Sequence, residues 1–118
     1  MEKDYMKTAK ELRDYLMTEA REPNEVLNPL EIYPRMEKIN AWLSRLISPM
    51  IEAEVAYRTI VVALINSGET VSKAEAQGKI TEEYKEWRKL QEVCKRGDEG
   101  IRILKKWSVA LGEEYKRT

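Results

Sequence analysis

Residues 36–64, MEKINAWLSRLISPMIEAEVAYRTIVVAL, decide the fold of this chain. Met36, Ile39, Leu43, Leu46, Met50, Ala53, Tyr57, Ile60 and Leu64 follow one another at steps of three and four. Such steps put side chains on one face of a helix, so they form a stripe that other protein must cover. A second stripe, Trp87, Leu90, Cys94, Gly97, Ile101, Leu104, Ser108, Leu111 and Tyr115, has the same spacing. Two stripes of equal length joined by a connector predict an all-α fold, a long antiparallel helical hairpin. They share a period and not a sequence, so they are not a repeat. No strand-like alternation interrupts them.

The flanking residues set the expected boundaries. Pro34 suits a first helical turn and Gly68 a helix end, which predicts the first long helix over 34–66. Pro49 lies inside it, removes one backbone hydrogen bond and clashes with the carbonyl four residues back. Because the register continues through Pro49, a kinked continuous helix is expected in preference to two separate ones. Ser72 and Glu75 have the capping-box spacing and predict a short crossbar helix over 72–78. Thr81, followed by Glu82 and Glu83, caps the last helix, expected over 82–117.

Residues 1–21 predict an N-terminal amphipathic helix with Tyr5, Ala9, Leu12 and Leu16 on one face, closed by Pro23. Residues 22–33 form a connector made apolar by Val26, Leu27, Leu30 and Ile32. It packs across an end of the bundle or reaches another subunit as a swapped arm. The 118 residues suit one domain.

Composition narrows the function classes. The chain has 21 basic and 21 acidic residues, so a globally basic nucleic-acid footprint is absent. Residues 1–32 carry five basic and eight acidic side chains, and residues 82–118 ten and eight. Histidine does not occur, which removes the commonest general base and metal ligand. Glu52, Glu54, Tyr57 and Arg58 gather polar groups, but without histidine they read as an ion-paired flank and not a di-metal site. No phosphate loop, nucleophile elbow or zinc spacing is present. The reading is therefore not an enzyme, with no catalytic residue, no metal and no cofactor. The single Cys94 suits a reducing compartment, and no apolar run reaches a membrane span. A cytoplasmic location follows, with no membrane partner.

Gly97 and Gly100 each cost up to about 1 kcal/mol relative to alanine inside a helix. Gly97 stands on the stripe, where a small residue lets a partner helix approach. A kink and a backbone surface opened to a ligand are the alternatives. Gly100 stands off the stripe, so Gly100→Leu is expected to be tolerated better than Gly97→Leu.

The stretches Glu52-Ala53-Glu54-Val55-Ala56-Tyr57-Arg58, Thr70-Val71-Ser72-Lys73-Ala74-Glu75-Ala76, Tyr84-Lys85-Glu86-Trp87-Arg88-Lys89-Leu90 and Glu113-Glu114-Tyr115-Lys116-Arg117 resemble small helical proteins of bacteriophages and prophages, some encoded near single-strand annealing or recombination genes. The resemblance covers residues 40–118 and leaves residues 1–35 outside. It implies a phage accessory protein acting in the host cytoplasm and brings no catalytic residue with it.

Two kinds of contact follow. The stripes, with Ile47, Ile51, Val61 and Ile65 beside them, exceed what one short N-terminal helix covers, so a homo-oligomer, a dimer first, is expected. Its seam would be Leu43, Leu46, Met50, Tyr57, Ile60, Leu64, Cys94, Gly97, Ile101, Leu104 and Leu111. Function would then be contact with a protein partner, either DNA-processing machinery or a host-defence effector. The alternative is sequestration of a nucleotide signal or binding of single-stranded nucleic acid. For that, Arg88, Lys95, Arg102 and Lys106 form one line at spacings of seven, seven and four, with Trp42 and Trp107 as stacking platforms.

Overall fold

The computed structural model describes residues 3–18 and 29–117, with side chains described for 3–18 and 30–110. Among these residues every element is a helix: α1 (Asp4–Thr18), α2 (Pro29–Asn66), α3 (Val71–Gly78) and α4 (Glu82–Arg117). The molecule measures 69 × 31 × 22 Å, a rod set by the length of α2 and α4, about 55 Å each at 1.5 Å per residue.

The hairpin is antiparallel, as its pairings show. Tyr57 of α2 meets Trp87 near the start of α4, and Leu43 and Ile39, earlier in α2, meet Gly97 and Gly100 further along α4. Ile39, Leu43, Leu46, Ala53 and Tyr57 of the first stripe are buried, as are Leu90, Cys94 and Leu104 of the second. Met36, Met50, Ile60, Leu64, Trp87 and Ile101 are half-buried. The side chain of Leu111 lies outside those described. The proposed oligomer seam is thus largely occupied within one chain: the two stripes cover each other, and α1 covers part of what remains.

α1 runs parallel to α4, tied at one end by the Lys3–Glu86 ion pair at 3.2 Å and at the other by Leu16 against Gly100. An exposed pair of this kind contributes at most about 1 kcal/mol. The docking comes instead from Leu12, fully buried, and from buried Ala9 and Tyr15. Tyr15 packs on Trp42 of α2, ring centroids 5.1 Å apart.

Three sequence expectations shift. α2 begins at Pro29, not Pro34. Ile32 is fully buried and extends the stripe one step N-terminal to Met36, so packing lengthens the helix and Pro29 takes the first-turn role that suits proline. The apolar end of the connector is therefore helix, while residues 19–28 lie outside the described residues. α3 is capped by Thr70, whose Oγ1 accepts from the Lys73 N–H at 3.3 Å. Ser72 sits inside the helix, so the Ser72–Glu75 capping box does not form. Finally, Gly100 is buried: α1 lies over the side of α4 that the period alone left open.

Helix continuity at Pro49 and the helix ends at Gly68 and Thr81 hold. A single helix runs through Pro49. Gly68 takes φ +110°, and the N–H groups of Gly68 and Glu69 donate to Ile65 O at 3.0 Å and Leu64 O at 3.1 Å. That paired geometry ends a helix with a left-handed residue, which glycine adopts without strain. Thr81 caps α4: its Oγ1 accepts from the Tyr84 N–H at 3.3 Å and donates to Gly78 O at 2.6 Å. Gly78 lets α3 lie across the hairpin end, because a Cβ there would sit 2.7 Å from Val61 Cγ2.

Candidate functional site

Two surfaces stand out, and each arises from what the helix packing leaves uncovered. The first is the outer face of α2. Ile47, Ile51, Val55 and Val62 are 49%, 51%, 58% and 54% exposed. Their spacings of four, four and seven make one line, and exposed Leu30 and Tyr33 continue it toward the helix start. Of the flanking residues expected to need a partner, Ile47 and Ile51 lie on this face. Val61 is half-covered by α3, and Ile65 is half-buried.

The second surface is cationic. Arg88, Lys95, Arg102 and Lys106 are all exposed on α4, strung over roughly 27 Å of helix at 1.5 Å per residue. They divide into two places. Arg88 and Lys95 border one cleft with Met50 and Cys94 and with two acids, Glu92 and Asp98, whereas Arg102 and Lys106 border a shallow hollow with Lys105, Val109 and Ala110. Arg88 donates to the side-chain oxygen of Gln91 and faces the gap between α1 and α4.

That gap is a groove of about 540 Å³. Met6 and Ala9 of α1 and Val93 of α4 supply its apolar surface, while Lys10 and Arg13 stand on one wall and Arg88, Lys89 and Arg96 on the other. Among the described residues Glu92 is the single acid in its lining, and it accepts from Arg96 Nε at 3.1 Å. Arg13 approaches Asp14 at 3.9 Å. Among the described residues, Lys10 and Lys89 have no ion-pair partner. Five cations thus face one acid.

Lys10 and Arg13 belong to an N-terminal segment that is net acidic, so composition does not single them out. The signal was present but local: Met6, Ala9, Lys10 and Arg13 share one side of α1 at helical spacing. Only the docking of α1 shows that this side faces α4.

The tryptophans are not free platforms. Trp42 packs on Tyr15, with Lys38 Nζ 5.4 Å from its ring centre and 4.9 Å from that of Tyr15. Trp107 is half-buried against the core. Trp87 stacks on Tyr57 at 5.5 Å and 18°, with Arg58 over its ring at 5.6 Å. Arg58 also donates to Glu54 Oε1 at 3.2 Å, the ion-paired flank read from the sequence. Among the described residues no three acidic, cysteine or histidine side chains are placed to hold a metal ion, and no helix is long and apolar enough to cross a membrane. Cys94 is buried; burial and then the neighbouring Asp98 push its thiol pKa up, which disfavours the reactive thiolate.

Comparison with known proteins finds no family model that matches the chain, and no matching curated protein or solved structure.

Proposed function

We propose that this chain is a non-enzymatic accessory protein of the phage type that acts by binding a protein. The two partner classes are DNA-processing machinery and a host-defence effector. The phage assignment rests on the sequence resemblance; the binding assignment rests on the outer face of α2. A helix that lies on a core normally turns polar side chains outward. Here four branched aliphatic residues in one line are about half exposed, a pattern that marks contact surfaces. Without the partner the same face joins two copies in a dimer, and the protein works in the cytoplasm of the host cell.

Light scattering on the purified chain and on an Ile51→Glu/Val55→Glu variant tests this reading. The native chain is expected at twice its 13.8 kDa mass and the variant at 13.8 kDa, with unchanged helical circular dichroism. A native chain that stays monomeric up to millimolar concentration refutes the dimer. A variant that still co-purifies with the protein retained by the native chain from phage-infected cells refutes this face as the working surface.

A second reading, capture of a nucleotide or of single-stranded nucleic acid, is favoured by the uncompensated cations along α4.

A further inference from the structure

We infer that the groove between α1 and α4 binds a small phosphate-bearing ligand of nucleotide size. The inference rests on the second reading above but moves its site away from the extended line of Arg88, Lys95, Arg102 and Lys106. Three observations carry it.

Charge converges here from two helices. Lys10 and Arg13 come from α1, and Arg88, Lys89 and Arg96 from α4, all around one cleft. Like charges brought together across a groove repel one another, so an anion that enters relieves repulsion as well as gaining attraction. The line along α4 lacks this property, because it draws on one helix: Arg88 and Lys95 share a cleft with two acids, Glu92 and Asp98, and Arg102 and Lys106 lie in a separate hollow.

The charges are only partly spent internally. Glu92 engages Arg96 alone, and the Arg13–Asp14 approach of 3.9 Å is long for a charge-assisted hydrogen bond. Lys10 and Lys89 have no acidic partner among the described residues. Guanidinium groups present a planar fork that matches phosphate oxygens, and their faces also stack on heterocycles.

Size selects the ligand. On α1 the lining spans residues 6 to 13 and on α4 residues 88 to 96, about two helical turns or roughly 12 Å. A volume of about 540 Å³ lies within the range of small-molecule sites. Met6, Ala9 and Val93 give the non-phosphate part of the ligand an apolar surface. A nucleoside polyphosphate matches this length and this division into charged walls and apolar floor, whereas a nucleic-acid strand would extend beyond it.

Calorimetric titration of the full chain with ATP, inorganic tripolyphosphate and adenosine at 20 and 200 mM salt tests the inference. ATP is expected to bind and to weaken at the higher salt, as screening dictates, and adenosine alone is not. Tripolyphosphate binding as tightly as ATP supports the site and assigns it to polyphosphate. A clear preference for ATP supports it and assigns the floor to the base. Lys10→Glu/Lys89→Glu should weaken ATP at least tenfold, with an unchanged thermal melt. Arg102→Glu/Lys106→Glu should leave ATP binding within twofold. The opposite pattern overturns the groove while preserving a nucleotide-binding protein. No ATP or tripolyphosphate binding at 20 mM salt overturns the groove; if a labelled oligonucleotide does not bind either, the second reading also falls. Because the groove does not include the outer face of α2, Ile51→Glu/Val55→Glu is expected to bind ATP as the native chain does.

Discussion

Gly97→Ala tests the contact on which the hairpin turns. A Cβ at residue 97 would lie 2.7 Å from Leu43 Cδ2, 3.2 Å from Cγ and 3.3 Å from Cδ1. Leu43 is buried, and three of its atoms face the added methyl, so one rotation of its end does not clear the clash. Two effects oppose each other. Replacing glycine by alanine inside a helix gains about 0.8–1.0 kcal/mol. Forcing an extra carbon into a packed core costs typically about 1–3 kcal/mol. Overpacking wins, and a net loss of about 1 kcal/mol is expected. Leu43→Ala alone should cost about 2–5 kcal/mol. In the Gly97→Ala background it also removes the clash, so the double variant should be more stable than the sum of the single losses by about 1 kcal/mol or more. Urea unfolding of the four proteins at one chain concentration measures this. Additivity within about 0.5 kcal/mol would refute the argument that α2 and α4 approach closely at this pair. Gly100→Ala provides the contrast. Its Cβ meets the end of half-buried Leu16 at 2.9 Å and Ile39 Cδ1 at 3.5 Å. Leu16 can swing aside, so the net effect should be near zero. A leucine at residue 100 has no such escape and should destabilise strongly, contrary to the expectation from the sequence.

Thr81→Ala removes both the cap of α4 and the hydroxyl that bonds Gly78 O at 2.6 Å; a loss of about 1–2 kcal/mol in urea unfolding is expected, with Thr81→Ser retaining most of it. Cys94 should react slowly with a thiol reagent in the folded protein and at the free-thiol rate in denaturant. Its raised pKa means that the folded state holds the proton more tightly than the unfolded chain. Stability is therefore complete below the ordinary thiol value, about 8.5, and falls as pH rises through it toward the folded-state value. Urea midpoints compared between the native chain and Cys94→Ala across that range should show the loss in the native chain only.

Local pattern was enough to specify the helices and the stripe along which α2 and α4 meet, though not the further side of α4 that α1 buries at Gly100. Steps of three and four through Ile39, Leu43 and Leu46, and through Leu90, Cys94 and Leu104, allow one solution, because a helix has one periodicity. Gly68 and Thr81 marked their boundaries for equally local reasons: a left-handed backbone angle and an unsatisfied helix start. Proline was ambiguous, since Pro29 and Pro34 both suit a first turn and only the burial of Ile32 chooses between them. What covers each face was not local. The stripes could have met in a second chain; instead they meet each other, which leaves the opposite side of α2, with Ile51 and Val55, as the uncovered apolar surface. Gly100 is off the stripe and acquires its constraint only from Leu16 of α1, which packs against it. The groove was the least legible feature, because Lys10 and Lys89 are far apart in the chain and either alone reads as an ordinary solvated lysine. A charge acquires meaning from its neighbours in space, and helical periodicity says which way a residue points but not what it points at.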